Sequence, residues 1–189
     1  KNSLIGKLPF DIGYTLPNIQ RLILSQNSFD GPIPASLLKA YSLRTLHLDN
    51  NRFTGFIPFF GSLQNLEKLD LGHNKLEAGD WGFVSSLSNC SRLSMLGLDG
   101  NNLQGKLPSS IGNLSNSLES LWLNSNQIYG PIPPEIGNLK SLNNLYTGNN
   151  LLTGNIPPTL GKLHRLVYLP LAENRLSGQI PDTIGNLVQ

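Results

Sequence analysis

The chain has 189 residues and a mass of 20.7 kDa, which is enough for one sizeable hydrophobic core. Leucine (37), asparagine (22) and glycine (19) account for 78 residues, whereas charged residues are only 14%, against about 25% in a typical domain. The net charge of +2 gives no reason to expect nucleic acid or an acidic partner, and no apolar run approaches the length of a membrane span. A lone cysteine, Cys90, excludes an internal disulfide and a multi-cysteine zinc site.

One pattern, LxxLxLxxNxLxGxIP, recurs along the chain with spacings of 23 to 27 residues. Its asparagines are Asn2, Asn27, Asn51, Asn74, Asn101, Asn126, Asn150 and Asn174. Glycine follows four residues later and proline seven residues later, except in the repeat that has Ala78 and Trp81 at these places. The pattern predicts a single repeat domain over residues 1–189, with about seven full repeats of ~24 residues and partial ends.

The leucines predict how one repeat is built. Leu46 and Leu48 lie two residues apart, as do their equivalents in most repeats, which indicates a short strand with both side chains on one face. One strand cannot bury that face, so successive repeats stack with their strands parallel and about 4.8 Å apart. Asparagine suits the tight bend that follows, glycine supplies unusual backbone angles, and proline prevents the strand from continuing. The next segment returns along the opposite face as a short helical or 3₁₀ turn.

The second half of the repeat carries a family resemblance. It stands here as NQIYGPIPPEIGNL and NRLSGQIPDTIGNL, and over the whole chain it resembles the plant-type leucine-rich repeat. The irregular repeat, LEAGDWGFVSSLSNCSRL at residues 76–93, is similar to a segment of plant pattern-recognition receptor kinases, especially the grass group that includes disease-resistance receptors. The resemblance implies an α/β fold: a right-handed leucine-rich-repeat solenoid (a horseshoe) with a parallel sheet on the concave face and short 3₁₀ or helical turns on the convex face.

The resemblance also implies parts that these 189 residues do not contain. Such receptors have a signal peptide, paired-cysteine caps, a transmembrane helix and a cytoplasmic Ser/Thr protein kinase domain. Because the exposed ends of a solenoid core need caps, we expect the chain to be an uncapped fragment of a longer protein. We expect this segment not to be an enzyme, and to lie on the extracellular face of the plasma membrane within a parent receptor, or to be secreted into the apoplast.

The sheet positions define a candidate binding face. We number each repeat from the first leucine of LxxLxLxxN, so that its asparagine is position 9. Positions 4 and 6 point inward, and positions 3, 5, 7, 8 and 10 face solvent on or beside the concave sheet. Early repeats place mixed charges there, and later repeats place aromatic side chains. The residues predicted to bind a ligand are His47, Lys68, Asp70, Trp122, Tyr146 and Tyr168.

A large aromatic side chain exposed on a rigid sheet is typical of a hot spot for a protein or peptide. The alternative is that Trp122 and Tyr146 only stack across adjacent strands, which is worth about 0.5–1 kcal/mol, and the two roles can coexist. The expected partners are a protein or peptide ligand and a co-receptor. No cofactor and no nucleic acid is expected, and membrane contact is expected only through a transmembrane helix of the parent receptor.

Catalytic and metal-binding alternatives are weaker. His47 and Asp70 share position 5 on neighbouring strands and could hydrogen-bond as in a catalytic triad. The candidate nucleophile, Ser25, lies two positions further along the preceding strand. A solvated histidine–aspartate pair is the simpler interpretation. His47, Asp49 and Asp70 would form only a loose metal set. The sequence contains no glycine-rich phosphate loop and no protein-kinase signature.

Several residues depart from the regular repeat or have a predicted structural role. The position-9 asparagines are expected to be structural, and Cys90 aligns with inward leucines and should be buried. Trp81 and Phe83 should fill a local bulge, with a protruding docking loop as the alternative. Thr147 replaces an inward leucine, so its hydroxyl needs a partner in the core.

Two sequons, at Asn89 and Asn113, predict N-glycosylation on the convex face, away from the sheet. This placement fits the main functional prediction, a ligand-recognition segment of a plant receptor-like kinase in immune or peptide signalling. The alternatives are a secreted inhibitor of a microbial cell-wall-degrading enzyme, similar to the polygalacturonase-inhibiting proteins, and a truncated structural fragment.

Overall fold

The computed structural model describes residues 1–187, which form a stack of short parallel strands and tight turns. The strands in this range are β1 (Ile5–Lys7), β2 (Arg21–Ile23), β3 (Ser28–Pro32), β4 (Thr45–His47), β5 (Arg52–Phe56), β6 (Lys68–Asp70), β7 (Lys75–Glu77), β8 (Met95–Gly97), β9 (Gln104–Lys106), β10 (Ser120–Trp122), β11 (Gln127–Gly130), β12 (Asn144–Tyr146), β13 (Leu151–Gly154) and β14 (Arg175–Leu176). The α-helices are α1 (Ile12–Thr15) and α2 (Gly82–Leu87), and 3₁₀ helices span Ala35–Lys39, Phe60–Ser62, Ser109–Asn113, Pro134–Asn138, Pro158–Lys162 and Asp182–Asn186.

The first half of each repeat builds a parallel sheet of six strands in the order β2-β4-β6-β8-β10-β12, which we call the concave sheet. Equivalent positions pair without slippage, so that Leu46 pairs with Leu69 and Leu69 pairs with Leu96. An isolated bridge between Asn144 and Tyr168 extends the sheet into the next repeat. The prediction that successive repeats stack with their strands parallel is therefore confirmed, and equivalent side chains form rows across the sheet.

The predicted inward positions form the core. In the central repeats the leucines at positions 4 and 6 are completely buried, namely Leu46, Leu48, Leu69, Leu71, Leu96, Leu98, Leu121 and Leu123. Cys90 is buried as predicted, with its sulfur 3.4 Å from the Leu63 carbonyl, and burial raises the pKa of its thiol to about 11. Thr147 is also fully buried, but its hydroxyl has no hydrogen-bond partner among the described residues, contrary to the expectation.

The position-9 asparagines connect each repeat to the one before it. The side-chain nitrogen of Asn101 donates to the carbonyls of Leu98 and Asp99 in its own turn, at 3.1 Å each, and to the Leu71 carbonyl of the preceding repeat at 3.0 Å. Its side-chain oxygen accepts the backbone N–H of Leu76, also in the preceding repeat, at 2.9 Å. The same four bonds recur at Asn51, Asn74, Asn126, Asn150 and Asn174. The structural role predicted for these residues is confirmed.

The residue before each of these asparagines has a left-handed backbone, with φ between 52° and 60°. These position-8 residues are Gln26, Asn50, His73, Gly100, Ser125, Asn149 and Glu173. Left-handed backbone angles are unfavourable for residues other than glycine and asparagine. Four of these seven residues are therefore strained, namely Gln26, His73, Ser125 and Glu173. The tight turn that the asparagine amide satisfies requires this conformation, and the repeat pattern did not reveal it.

The segments after the asparagines form further short strands, which the sequence analysis did not predict, and each of these strands ends before the proline of its repeat, as expected. Parallel pairing joins them in the orders β1-β3-β5-β7 and β9-β11-β13-β14 along the flank of the stack. Because stacking places these segments in register as well, their peptide groups can pair from repeat to repeat. The prediction of unusual glycine angles is confirmed, for example at Gly31 (φ 73°) and Gly105 (φ 104°).

The flanking sheet is interrupted at the irregular repeat. Trp81 is 3% exposed, stacks on Phe83 with ring centroids 5.7 Å apart, and donates its indole N–H to the Gln104 carbonyl at 2.8 Å. The Gln104 carbonyl belongs to β9. Because it accepts the Trp81 indole N–H, it does not pair with the backbone of β7. Both aromatic side chains are buried, which confirms a local bulge and contradicts a protruding docking loop.

The hydrogen bonds of Asn101 predict a large effect of its removal. We expect Asn101→Ala to lower the free energy of unfolding by about 2 kcal/mol, because it leaves the buried Leu76 N–H without this acceptor and removes one of the two amide hydrogen bonds that the Leu71 and Leu98 carbonyls each accept. Urea denaturation followed by circular dichroism measures this change. The matched control is Asn102→Ala, since the Asn102 side chain is exposed. Equal stability of the two variants would contradict the role of the ladder.

Candidate functional site

Three aromatic side chains form a continuous row on the concave sheet. Trp122 and Tyr146 are directly paired across β10 and β12, and their rings meet edge to face, with centroids 6.4 Å apart and planes at 83°. Tyr146 in turn stacks on Tyr168, with centroids 6.4 Å apart and planes at 21°. The predicted stacking therefore exists and includes a third ring. The stacked rings remain accessible to a ligand, since Tyr168 is 55% exposed.

A shallow depression lies beside this row. It has a volume of about 260 Å³ and is lined by Asp99, Trp122, Asn124 and Tyr146. The indole nitrogen of Trp122 is buried, and no hydrogen-bond acceptor for it exists among residues 1–187. The depression thus combines one carboxylate, one amide and two aromatic rings, which is a suitable set for recognising a peptide.

Three aspartates occupy adjacent repeats next to the depression. Asp49 accepts the Ser25 hydroxyl at 2.5 Å, and Asp70 accepts the backbone N–H of Gly72 at 3.1 Å. Asp99 forms an ion pair with His73, with 3.0 Å between Oδ2 and Nε2. The negative charges of Asp49 and Asp99 therefore act on Asp70, which lies between them in the stack of repeats.

Partial burial shifts two of these carboxyl groups. The pKa of Asp70 is raised, first by desolvation and then by the negative charges of Asp49 and Asp99, although the Gly72 N–H opposes the shift. The pKa of Asp99 is also raised by desolvation, while its His73 partner opposes the change. Both carboxylates would be stabilised by an additional positive charge.

The catalytic alternative does not gain support from the geometry. His47 and Asp70 are paired on β4 and β6 as predicted, but among the described residues no hydrogen bond joins their side chains. Within residues 1–187 the Nε2 atom of His47 is buried and has no hydrogen-bond partner, and the Ser25 hydroxyl donates to Asp49. The suggested hydrogen-bonded pair is thus wrong, and the pair that does form is His73–Asp99.

The remaining predicted residue, Lys68, is the first residue of β6, and its side chain is exposed. It pairs with Thr45 and Met95 at position 3 of the neighbouring repeats and does not line the depression. The sequence prediction missed Asp99 and Asn124, which line the depression. Position 7 of the repeat was the available signal, because it places both residues next to the Trp122 row.

The two sequons lie on the convex side. Asn113 ends its 3₁₀ helix, Asn89 follows α2, and both are exposed. The turns that carry them touch, because the Ser115 hydroxyl donates to the Ser91 carbonyl at 2.6 Å.

Across residues 1–187 no helix is long and apolar enough to cross a membrane. In the same range no group of three or more His, Cys, Asp or Glu side chains is arranged to hold a metal ion.

The raised pKa of Asp70 predicts a pH-dependent effect on stability. Between its ordinary value of 3.8 and the raised value, the folded state binds more protons than the unfolded state, so stability falls as pH rises through this window. We expect Asp70→Asn, which keeps an acceptor for Gly72, to be more stable than the native chain at pH 7 by on the order of 0.5 kcal/mol.

Thermal unfolding across pH 3 to 8 measures the effect, and the difference should vanish towards about pH 3, where the carboxyl is protonated in both states. Asp30→Asn, on the exposed flanking strand β3, makes the same charge change as a control. A constant difference at all pH values would contradict an ionisation effect.

Comparison with known proteins agrees with this architecture. The family model described as Leucine Rich Repeat matches residues 18–40, 92–114, 117–139 and 165–187, and a two-copy model of leucine-rich repeats matches residues 41–80. The Arabidopsis receptor kinase HAESA, solved with the peptide hormone IDA and the co-receptor SERK1, is similar in structure with a TM-score of 0.89 and 33% identity. The alignment covers 98% of this chain and 30% of that one.

Relatives found by sequence similarity are also plant receptor kinases. Receptor kinase-like protein Xa21 of rice is 52% identical over 65 residues, covering 33% of this chain and 6% of the relative. Receptor-like protein kinase 7 of Arabidopsis thaliana is 37% identical over 140 residues, covering 61% of this chain and 14% of the relative. The chain thus spans a small part of these proteins. It belongs to the leucine-rich repeat family, in the plant-type form that receptor-kinase ectodomains share.

Proposed function

We propose that this chain is a ligand-recognition segment of a receptor-kinase ectodomain that binds a protein or peptide on its concave sheet. The observation that carries the proposal is the row of Trp122, Tyr146 and Tyr168 beside a depression with polar lining. In a parent receptor the segment would lie outside the cell, act in immune or peptide-hormone perception, and work together with a co-receptor and a separate Ser/Thr kinase domain. Its own role is binding without chemistry.

The sheet is suited to a preorganised binding site. The strands β10 and β12, which carry Trp122 and Tyr146, are fixed by parallel pairing and by the asparagine amides of the same turns, so these two rings lose little freedom when a ligand binds. Six strands about 4.8 Å apart span roughly 24 Å, which an extended peptide crosses with about seven residues. The aromatic row therefore contacts a few consecutive residues of such a peptide.

The solved relative supports this assignment. HAESA has been crystallised with a peptide hormone and a co-receptor, and its repeats superpose on nearly the whole of this chain. Because one fold serves many functions, peptide binding by this chain has to be argued from the residues on its own surface. Aromatic side chains are also exposed elsewhere, for instance Tyr129 on the flanking strand β11, and they supply a direct comparison.

Alanine substitutions in the row test the proposal. Peptides are selected with the 189-residue chain from a random display library, and their dissociation constants are measured by calorimetry. We expect Trp122→Ala and Tyr146→Ala each to weaken binding by more than about 1 kcal/mol, because they remove central aromatic contacts. Tyr129→Ala is the matched control and should leave affinity unchanged. Peptides whose binding ignores both concave substitutions would refute the assignment.

We further propose that Asn89 and Asn113 carry N-glycans in this extracellular setting. Both side chains are exposed on the convex turns, so attached glycans would leave the concave sheet free. Expressed through the secretory pathway of plant cells, the chain should lose mass on glycosidase treatment. Asn89→Gln with Asn113→Gln should abolish the shift, while Asn116→Gln, an exposed asparagine outside any sequon, should not. An unshifted native chain would contradict the modification.

A further inference from the structure

We propose that the concave sheet selects ligands with an arginine or lysine side chain, whose cationic group sits between the Asp99 carboxylate and the rings of Trp122 and Tyr146. The inference rests on the proposed function, since it specifies the ligand chemistry of that same face. It begins from the depression, where these three side chains and Asn124 are the lining groups. A carboxylate beside aromatic rings is a favourable environment for a guanidinium or ammonium group.

Two glycines bring a second carboxylate towards this place. A Cβ atom on Gly97 would lie 2.7 Å from Oδ1 of Asp70 and 3.3 Å from Cε3 of Trp122, so Asp70 leans across β8 towards the indole ring. A Cβ atom on Gly72 would lie 2.7 Å from Oδ1 of Asp99 and 3.3 Å from Oδ1 of Asp70. The missing side chains thus allow two carboxylates from neighbouring repeats to converge beside Trp122.

The charges around the convergence are incompletely compensated. In the described part of the chain the ion-pair partner of Asp99 is His73, whose side chain is 58% exposed, so that solvent screens this interaction. Asp70 has the Gly72 N–H, and Lys68 on the same strand forms no ion pair with it within residues 1–187. A cation from a ligand would supply the missing charge, whereas an anionic group at this position would be repelled.

Arginine and lysine differ in how they can use the groups that line the depression. Arginine fits the depression especially well, because its planar group can stack on a ring while donating to the Asp99 carboxylate and the Asn124 amide oxygen.

The test uses the full 189-residue chain and a random peptide display library of about 12 residues, which is longer than the width of the sheet. We expect selected peptides to be enriched in arginine or lysine at one position. Replacing that arginine by the neutral isostere citrulline should weaken binding by about tenfold. The combined variant Asp70→Asn with Asp99→Asn should lose a similar factor for the arginine peptide and should no longer distinguish arginine from citrulline. Asp30→Asn is the matched charge control on the flank.

The citrulline exchange leaves the protein unaltered, so the result does not depend on how well the aspartate variants fold. Peptides that need Trp122 but show no basic enrichment, and no loss with citrulline, would overturn the inference and leave the proposed function standing. If no selected peptide depends on Trp122 or Tyr146, the proposed function fails and the inference fails with it. If the affinity for the arginine peptide does not fall as the salt concentration is raised, this result would also contradict a site that binds a cation.

Discussion

The position-9 asparagine is the interaction on which the rest of the structure depends. Each amide bonds two carbonyls of its own turn, one carbonyl of the preceding repeat and one N–H of that repeat, so it fixes both the bend and the stacking. Without the amide oxygen the buried N–H would lose this acceptor, which is costly, and each carbonyl between two repeats is shared by two successive asparagine amides. A side chain of this length with a donor and an acceptor satisfies both repeats at once. The strained left-handed residue before it is tolerated because the amide network over-determines the turn.

This constraint also creates the binding face. Because the amides hold every repeat at the same relative position, the concave strands pair without slippage and equivalent side chains form straight rows. Asp70, Asp99, Trp122 and Tyr146 come from four repeats but meet within one region of the surface. A solenoid can therefore change its ligand by substitutions at positions 3, 5 and 7 while the buried leucines and asparagines stay fixed.

The period of the sequence was sufficient to predict the core, the concave rows and the aromatic stacking, because these follow from strand alternation and stacking alone. It could not predict the flanking strands, since their pairing depends on the angle at which whole repeats stack. Nor could it distinguish His47–Asp70 from His73–Asp99. That choice depends on how far each side chain leans, and the left-handed backbone at His73 and the bare Cα atoms of Gly72 and Gly97 influence it.

The glycines of the concave sheet show that absent side chains shape such a surface as much as present ones do. A β-branched or aromatic residue at position 97 would cover the ring of Trp122 and separate it from Asp70, as an ordinary cross-strand pair does. With Gly97 the carboxylate instead approaches the ring, and with Gly72 the next carboxylate approaches the first. Repulsion and desolvation make this arrangement unfavourable in the free chain, and the attraction of a bound cation offsets both costs. Selectivity for a basic residue would then arise from relief of an unfavourable charge cluster, in addition to the contacts that the ligand makes.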